Sequence, residues 1–189
     1  HLGCTRFHLI GQSIGGMIAQ QYTHRFPEHV ISLCLIATTS AFGGRDDSFK
    51  REFLAARLKP LDQGLSMHEL AVAFVPEITG PTVSEKCLAS AITSMSAVPV
   101  NTYRQIMECL VTFDQRVQWP ALSCPVCLIA GGVDTNAPSR TMRKMAERNP
   151  NAQFHEIRDA GHLVNLEMPD ATNAIITRFL HDTVKVSHR

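Results

Sequence analysis

The chain has 189 residues, 44% of them hydrophobic and 19% charged, with a formal net charge of +1. That size supports one domain with a sizeable core, and the near balance of charge gives no electrostatic reason to expect nucleic acid or an anionic membrane as a partner. No apolar run reaches the roughly 18 residues of a membrane span.

The first residues read as the end of a helix running into a strand, as though the chain opened inside a domain, rather than as a basic-then-apolar leader. Residues 7–10 are a short apolar run stopped by Gly11, the pattern of a buried parallel strand. From Ile14 the period changes. Ile14, Met17, Ile18, Gln21 and Tyr22 recur at helical spacing until Pro27. Residues 30–37 are again almost continuously apolar and predict a second buried strand. Strand, glycine turn, helix, strand is a βαβ unit, which implies a parallel sheet.

From Gly43 to Trp119 this alternation stops. Helices are predicted around 48–58, 66–74, 83–97 and 102–112, punctuated by Pro60, Pro76, Pro81 and Pro99. No comparable strand separates them. Residues 43–119 therefore read as a helical cap inserted over the sheet, between core segments 1–42 and 120–189. Residues 126–130 form another apolar strand, followed by Gly131-Gly132-Val133-Asp134 and a helix over 139–148. Residues 154–157 alternate apolar and polar, as an edge strand facing water on one side does. A loop with Gly161-His162 follows, then a last helix over about 171–180.

Six cysteines are present: Cys4, Cys34, Cys87, Cys109, Cys124 and Cys127. Cys124 and Cys127 have C-x-x-C spacing, but Pro125 and Val126 lead straight into a strand and no second pair completes a metal site. Buried thiols in a reducing cytoplasm are the expected state.

The chemistry concentrates on Gly11-Gln12-Ser13-Ile14-Gly15. Glycines allow a sharp turn between strand and helix, which lifts the serine hydroxyl clear of the backbone. The helix start places N–H groups beside it, and the Ile14 N–H is the natural first oxyanion donor. A serine nucleophile needs a histidine base oriented by a carboxylate, each on a loop past the carboxyl end of a strand. Asp134 and His162 meet that requirement in the order Ser, Asp, His. His8 and His155 sit inside strands, His24 and His29 at the far end of the first helix, His68 in the insertion, and His181 and His188 in the tail. Asp159 stands too close to His162 in the same loop to orient the ring from behind.

Three segments resemble the α/β-hydrolase superfamily: residues 7–17 its nucleophile elbow, 124–134 its acid strand, and Ala160-Gly161-His162 with Asn165-Leu166-Glu167 its histidine loop. Within it, Gly15-Gly16-Met17 and residues 162–167 are most similar to 3-oxoadipate enol-lactonases and related small carboxylic-ester hydrolases. The resemblance implies an α/β fold, a mostly parallel sheet flanked by helices with a helical cap. It also implies hydrolysis of a small carboxylic ester or lactone through an acyl-enzyme, with catalytic Ser13, Asp134 and His162 and no metal or organic cofactor. Carbon–carbon bond hydrolysis of a ring-cleavage product, or a non-catalytic ligand receptor, would use the same fold. The family carries several strands and a His-Gly oxyanion loop ahead of the elbow, where this chain has twelve residues. The expectation is a fragment, or a domain whose N-terminal segment and second oxyanion donor come from a separate chain.

Substrate contacts are expected from the insertion. Met95, Met107, Phe113 and Trp119 are its apolar candidates, and Arg57 and Arg104 its candidates for meeting a substrate carboxylate; Trp119, Met107 and Arg104 are taken as the substrate-binding set.

Overall fold

The computed structural model describes residues 3–43 and 47–186. Four strands, β1 (Phe7–Gln12), β2 (Val30–Ile36), β3 (Val126–Gly131) and β4 (Ala152–Ile157), form one parallel sheet in the order β1-β2-β3-β4. The apolar runs explain the arrangement. β3 is buried at every residue and β2 at all but one, because both lie inside the sheet and are covered on both faces. No residue of β4 is fully buried, and Gln153 and Glu156 are exposed, as its edge position allows. Residues 3–6 are not helical, so the expected helix end before β1 is absent among them.

Helices α1 (Ile14–Arg25) and α6 (Ser139–Arg148) cover one face. Their Ala19, Met142 and Met145 pack on Leu33, Leu35, Val126 and Leu128. The other face carries α8 (Pro169–Val186), preceded by the single turn α7 (Val164–Glu167). Phe179 and Val164 pack there on Cys34, Ile36, Cys127 and Ile129. Cys124 packs with the first face and Cys127 with the second, so the C-x-x-C pair is split by the sheet. At the edge formed by β1, Ile10 and Ile18 are exposed.

Between β2 and β3 run α2 (Asp47–Asp62), α3 (Met67–Ile78), α4 (Glu85–Ser96) and α5 (Val100–Leu110). They share a core of their own built on Leu61, Met67, Leu70, Tyr103 and Met107. Ser66 and Glu69 cap α3 reciprocally and Ser84 caps α4, which fixes where these helices begin. Pro60 and Pro76, expected to bound helices, lie inside the last turns of α2 and α3. The chain leaves and re-enters the core through a narrow neck: Ala41 and Asp114 form an antiparallel bridge, with the Phe42 N–H donating to Phe113 O and the Gln115 N–H to Ser40 O.

Candidate active site

Parallel strands aim all their carboxyl ends the same way, so loops following β1, β3 and β4 meet above one edge of the sheet. Ser13 follows β1 directly, Asp134 lies three residues beyond β3 and His162 five beyond β4.

The elbow at Ser13 is strained. Its φ of 53° lies in the left-handed region that non-glycine residues avoid. Two bonds hold it there: the Ser13 N–H donates to Ile36 O at 2.9 Å, and Thr38 Oγ1 donates to Ser13 O at 2.8 Å. Glycines make room for the turn, though not the pair the motif names. A Cβ on Gly11 would stand 2.3 Å from Gly15 O, and one on Gly16 2.8 Å from the Thr38 methyl, whereas one on Gly15 meets nothing within 4 Å. Gly16, not Gly15, is the second constrained position.

His162 bridges the other two groups. Its Nδ1–H donates to Asp134 Oδ2 at 2.9 Å, which leaves Nε2 to accept from Ser13 Oγ at 2.8 Å. Asp134 is 5% exposed, and its Oδ1 accepts from the N–H groups of Asn136 and Ala137 at 2.8 and 3.0 Å. The carboxylate therefore has no freedom to turn from the ring. Asp159 is exposed and takes no part. Of the rival histidines, His8 bonds Ser32, His29 bonds Tyr22 and His68 bonds Ser96, all away from Ser13; His188 lies outside the described residues.

Two further side chains fix the histidine loop, and sequence reasoning assigned neither a role. Gln12 Nε2 donates to His162 O at 2.9 Å. Glu167 holds three backbone N–H groups: Oε2 accepts from Gly80 at 2.6 Å and Gly161 at 2.9 Å, and Oε1 from Leu163 at 2.9 Å. The His162 N–H donates to Ile78 O at 2.7 Å. The end of α3 is thus fastened to the loop on both sides of His162. The approach is so close that a Cβ on Gly161 would stand 2.5 Å from Gly80 N.

Ser13 and His162 open into a cavity of about 640 Å3 between the sheet edge and helices α2–α5, within the usual range for small-molecule sites. Its walls are mostly apolar, including Phe42, Phe53, Phe74, Val98 and Leu163. Met107 and Met95 line it as expected, and Phe113 does not. Trp119 does not either. It is 1% exposed against the sheet, in a cluster with Leu33, Leu35 and Leu128, and its Nε1–H donates to Met145 O. Its packing under the strands removes it from the substrate side. Arg104, expected to contact substrate, does not line the cavity. It bonds Asp62 at 2.6 Å on the outside of the insertion, so its guanidinium is already paired. Arg57 reaches the cavity instead, over the Phe74 ring at 3.9 Å and the Phe53 ring at 5.4 Å. Burial lowers the pKa of Arg57 and raises that of the neighbouring Tyr103 hydroxyl. Among the described residues no helix is long and apolar enough to cross a membrane.

A family model described as "Alpha/beta hydrolase family" matches residues 1–175. The poly(3-hydroxyalkanoate) depolymerase of Ectopseudomonas oleovorans is 31% identical over 95% of this chain and 62% of its own length. A Pseudomonas 2-hydroxy-6-oxononadienedioate/2-hydroxy-6-oxononatrienedioate hydrolase is 27% identical over 95% of this chain and 64% of its own. The chain thus spans under two thirds of the length of both curated relatives. The crystal structure of the enol-lactonase from Burkholderia xenovorans LB400 superposes with a TM-score of 0.84 at 24% identity, covering 95% of this chain and 67% of that one.

Proposed function

We propose that this chain, which belongs to the α/β-hydrolase family, hydrolyses a small carboxylic ester or lactone through an acyl-enzyme on Ser13. The observation that carries this reading is the unbroken relay from Ser13 Oγ through His162 to Asp134, at 2.8 and 2.9 Å, opening into an apolar cavity. Ser13 Oγ attacks the carbonyl carbon as its proton passes to His162 Nε2, and Asp134 stabilises the imidazolium. The Ile14 N–H, at the start of α1, donates to the oxyanion. Collapse breaks the ester bond, and the leaving oxygen takes the proton from His162. His162 then takes a proton from water, whose oxygen attacks the acyl carbon and releases the acid and free Ser13. Helices α2–α5 act as a cap over this site, and the cavity's size and apolar walls support a small ester or lactone as the substrate.

Carbon–carbon bond hydrolysis is the second reading, favoured by the likeness to the Pseudomonas hydrolase. Side-by-side turnover of an enol-lactone and a ring-cleavage dienoate separates the two. The decisive experiment pairs activity with labelling. Wild type is expected to hydrolyse para-nitrophenyl esters and to gain one fluorophosphonate adduct on Ser13 by intact mass. Ser13→Ala is expected to lose both; undiminished turnover in that variant refutes the assignment.

A further inference from the structure

A second cleft, of about 210 Å3, lies where the two strands of the neck meet α6. Trp119 and Met145 line it, both buried and joined by the bond from Trp119 Nε1–H to Met145 O. Three cations surround this apolar base: Arg116 from the returning strand of the neck, and Lys144 and Arg148 from α6. Thr141, Lys144, Met145 and Arg148 stand at positions i, i+3, i+4 and i+7, so one face of α6 carries two of the cations and a hydroxyl to the cleft. Among the described residues no Asp or Glu lines it.

Cations held around one small opening repel one another, and little answers them here. Asp114 takes Nε and Nη2 of Arg116. Arg148 Nη2 donates to Arg116 O over 3.4 Å, a long bond that brings the second guanidinium against the first. Lys144 enters none of the ion pairs among the described residues. The hydroxyls of Ser40 and Thr141 also line the cleft and make no hydrogen bond there, although the Ser40 O and the Thr141 N–H are bonded. Ser40 is the sharper case. It is 8% exposed, and a polar group so far withdrawn from water is normally paired. Among the described residues the unpartnered side-chain atom sealed from solvent is Gln20 Oε1, so Ser40 Oγ keeps an opening, and that opening is the cleft.

We propose that this cleft is a second ligand site, which binds a phosphoryl group as inorganic phosphate or as the head of a phosphate monoester. Two guanidinium groups, an ammonium and two hydroxyls suit the three acceptor oxygens and nearly double charge of a phosphoryl group. A carboxylate offers two oxygens and one charge, and leaves part of that donor set unmet. The cleft is smaller than the roughly 300 Å3 at which pockets for whole small molecules begin, so it holds a head group and leaves any remainder in solvent. Bound there, the anion bridges α6 to both strands of the neck. Thr39 lines both this cleft and the cavity above Ser13, so the site adjoins the catalytic cavity without sharing its catalytic groups. It is independent of the ester-hydrolase reading.

The test titrates inorganic phosphate, methyl phosphate and acetate into the wild-type chain by calorimetry, at constant ionic strength and about pH 8, where the phosphoryl group is a dianion. One-site saturation by phosphate or methyl phosphate is expected, and none by acetate. Saturation by phosphate alone identifies the free ion as the ligand; saturation by methyl phosphate identifies the monoester head. Ser40→Ala and Lys144→Gln are each expected to raise Kd by about 10-fold, the worth of one charge-assisted bond. Arg143→Gln, on the same helix but paired with Glu156, is expected to leave Kd unchanged. Lys144 is exposed, so its variant folds whatever Ser40→Ala does to stability. Absence of saturable binding by either phosphate overturns the proposal, and so does acetate binding as tightly. Phosphate binding that Ser40→Ala or Lys144→Gln leaves unweakened places the anion elsewhere and overturns it too. An equal loss in Arg143→Gln shows diffuse helix charge rather than a site, with the same consequence.

Discussion

Glu167 offers the sharpest test of how the insertion and the histidine loop are joined. Replacing it by Gln keeps the shape and removes the charge. The carboxylate accepts three backbone N–H groups, two on one oxygen and one on the other. The amide has only one acceptor oxygen. If that oxygen keeps Gly80 and Gly161, the amide NH2 is turned toward the Leu163 N–H, donor against donor. One charge-assisted bond worth about 1.5–3 kcal/mol is lost, and the two that remain fall to neutral strength, about 1 kcal/mol each. Part of this is recovered by water, since Glu167 is only partly buried. A net cost of about 2–3 kcal/mol follows, which for a domain of 189 residues is a fall in Tm of roughly 4–12 °C. The bond lost at Leu163 and the one weakened at Gly161 flank His162, so its ring loses its fixed relation to Ser13, and kcat is expected to drop by about tenfold or more with little change in KM. Thermal unfolding followed by circular dichroism gives the first quantity, and ester hydrolysis well below the transition gives the second. Glu167→Gln with wild-type Tm and wild-type kcat refutes the reasoning outright. A lowered Tm with unchanged kcat retains Glu167 as a structural clamp and removes it as a positioning residue.

Other outcomes follow from the elbow and the neck. Gly15→Ala is expected to be tolerated, and stabilising by about 0.5–1 kcal/mol, because its Cβ meets open space on a helix. Gly16→Ala is expected to cost about 1–3 kcal/mol, because Thr38 is held by its bond to Ser13 O and cannot withdraw. Denaturant midpoints of the two variants check both; equal values refute the geometry of the turn. At the neck, hydrogen bonds from Arg116, with its charge, pull the Asp114 carboxyl down from 3.8 to about 2. A depressed carboxyl stabilises the fold above its unfolded pKa and ceases to do so as pH falls from about 4 to 2. Because the pair is solvent-exposed the effect is small. Asp114→Asn is expected to be slightly less stable than wild type at pH 7, with the difference shrinking as pH falls through about 2, by urea unfolding; a difference as large at pH 2 as at pH 7 refutes the linkage.

The strands and the positions of Ser13, Asp134 and His162 were legible because each depends on a local pattern. An apolar run that stops at glycine predicts a buried strand and its end, and parallel ends converge whatever the intervening residues are. Helix limits were read less well. Pro60 and Pro76 mark the ends of α2 and α3 only to within a turn, since a proline in the last turn forfeits a single backbone bond. Trp119 and Arg104 were misplaced for another reason. Residue type says that a tryptophan is buried and an arginine paired, but the partners that decide where, Met145 O and Asp62, come from other segments. Glu167 shows the same boundary from the other side. Its place in the histidine motif was visible, yet its function depends on Gly80, 87 residues away. The carboxylate can reach Gly80 only because two glycines let α3 and the histidine loop come into backbone contact. A residue that binds the backbone of a distant segment carries no periodicity and no spacing of its own. What the sequence does hold is the pair of glycines, at 80 and 161, whose missing side chains are the trace of that contact.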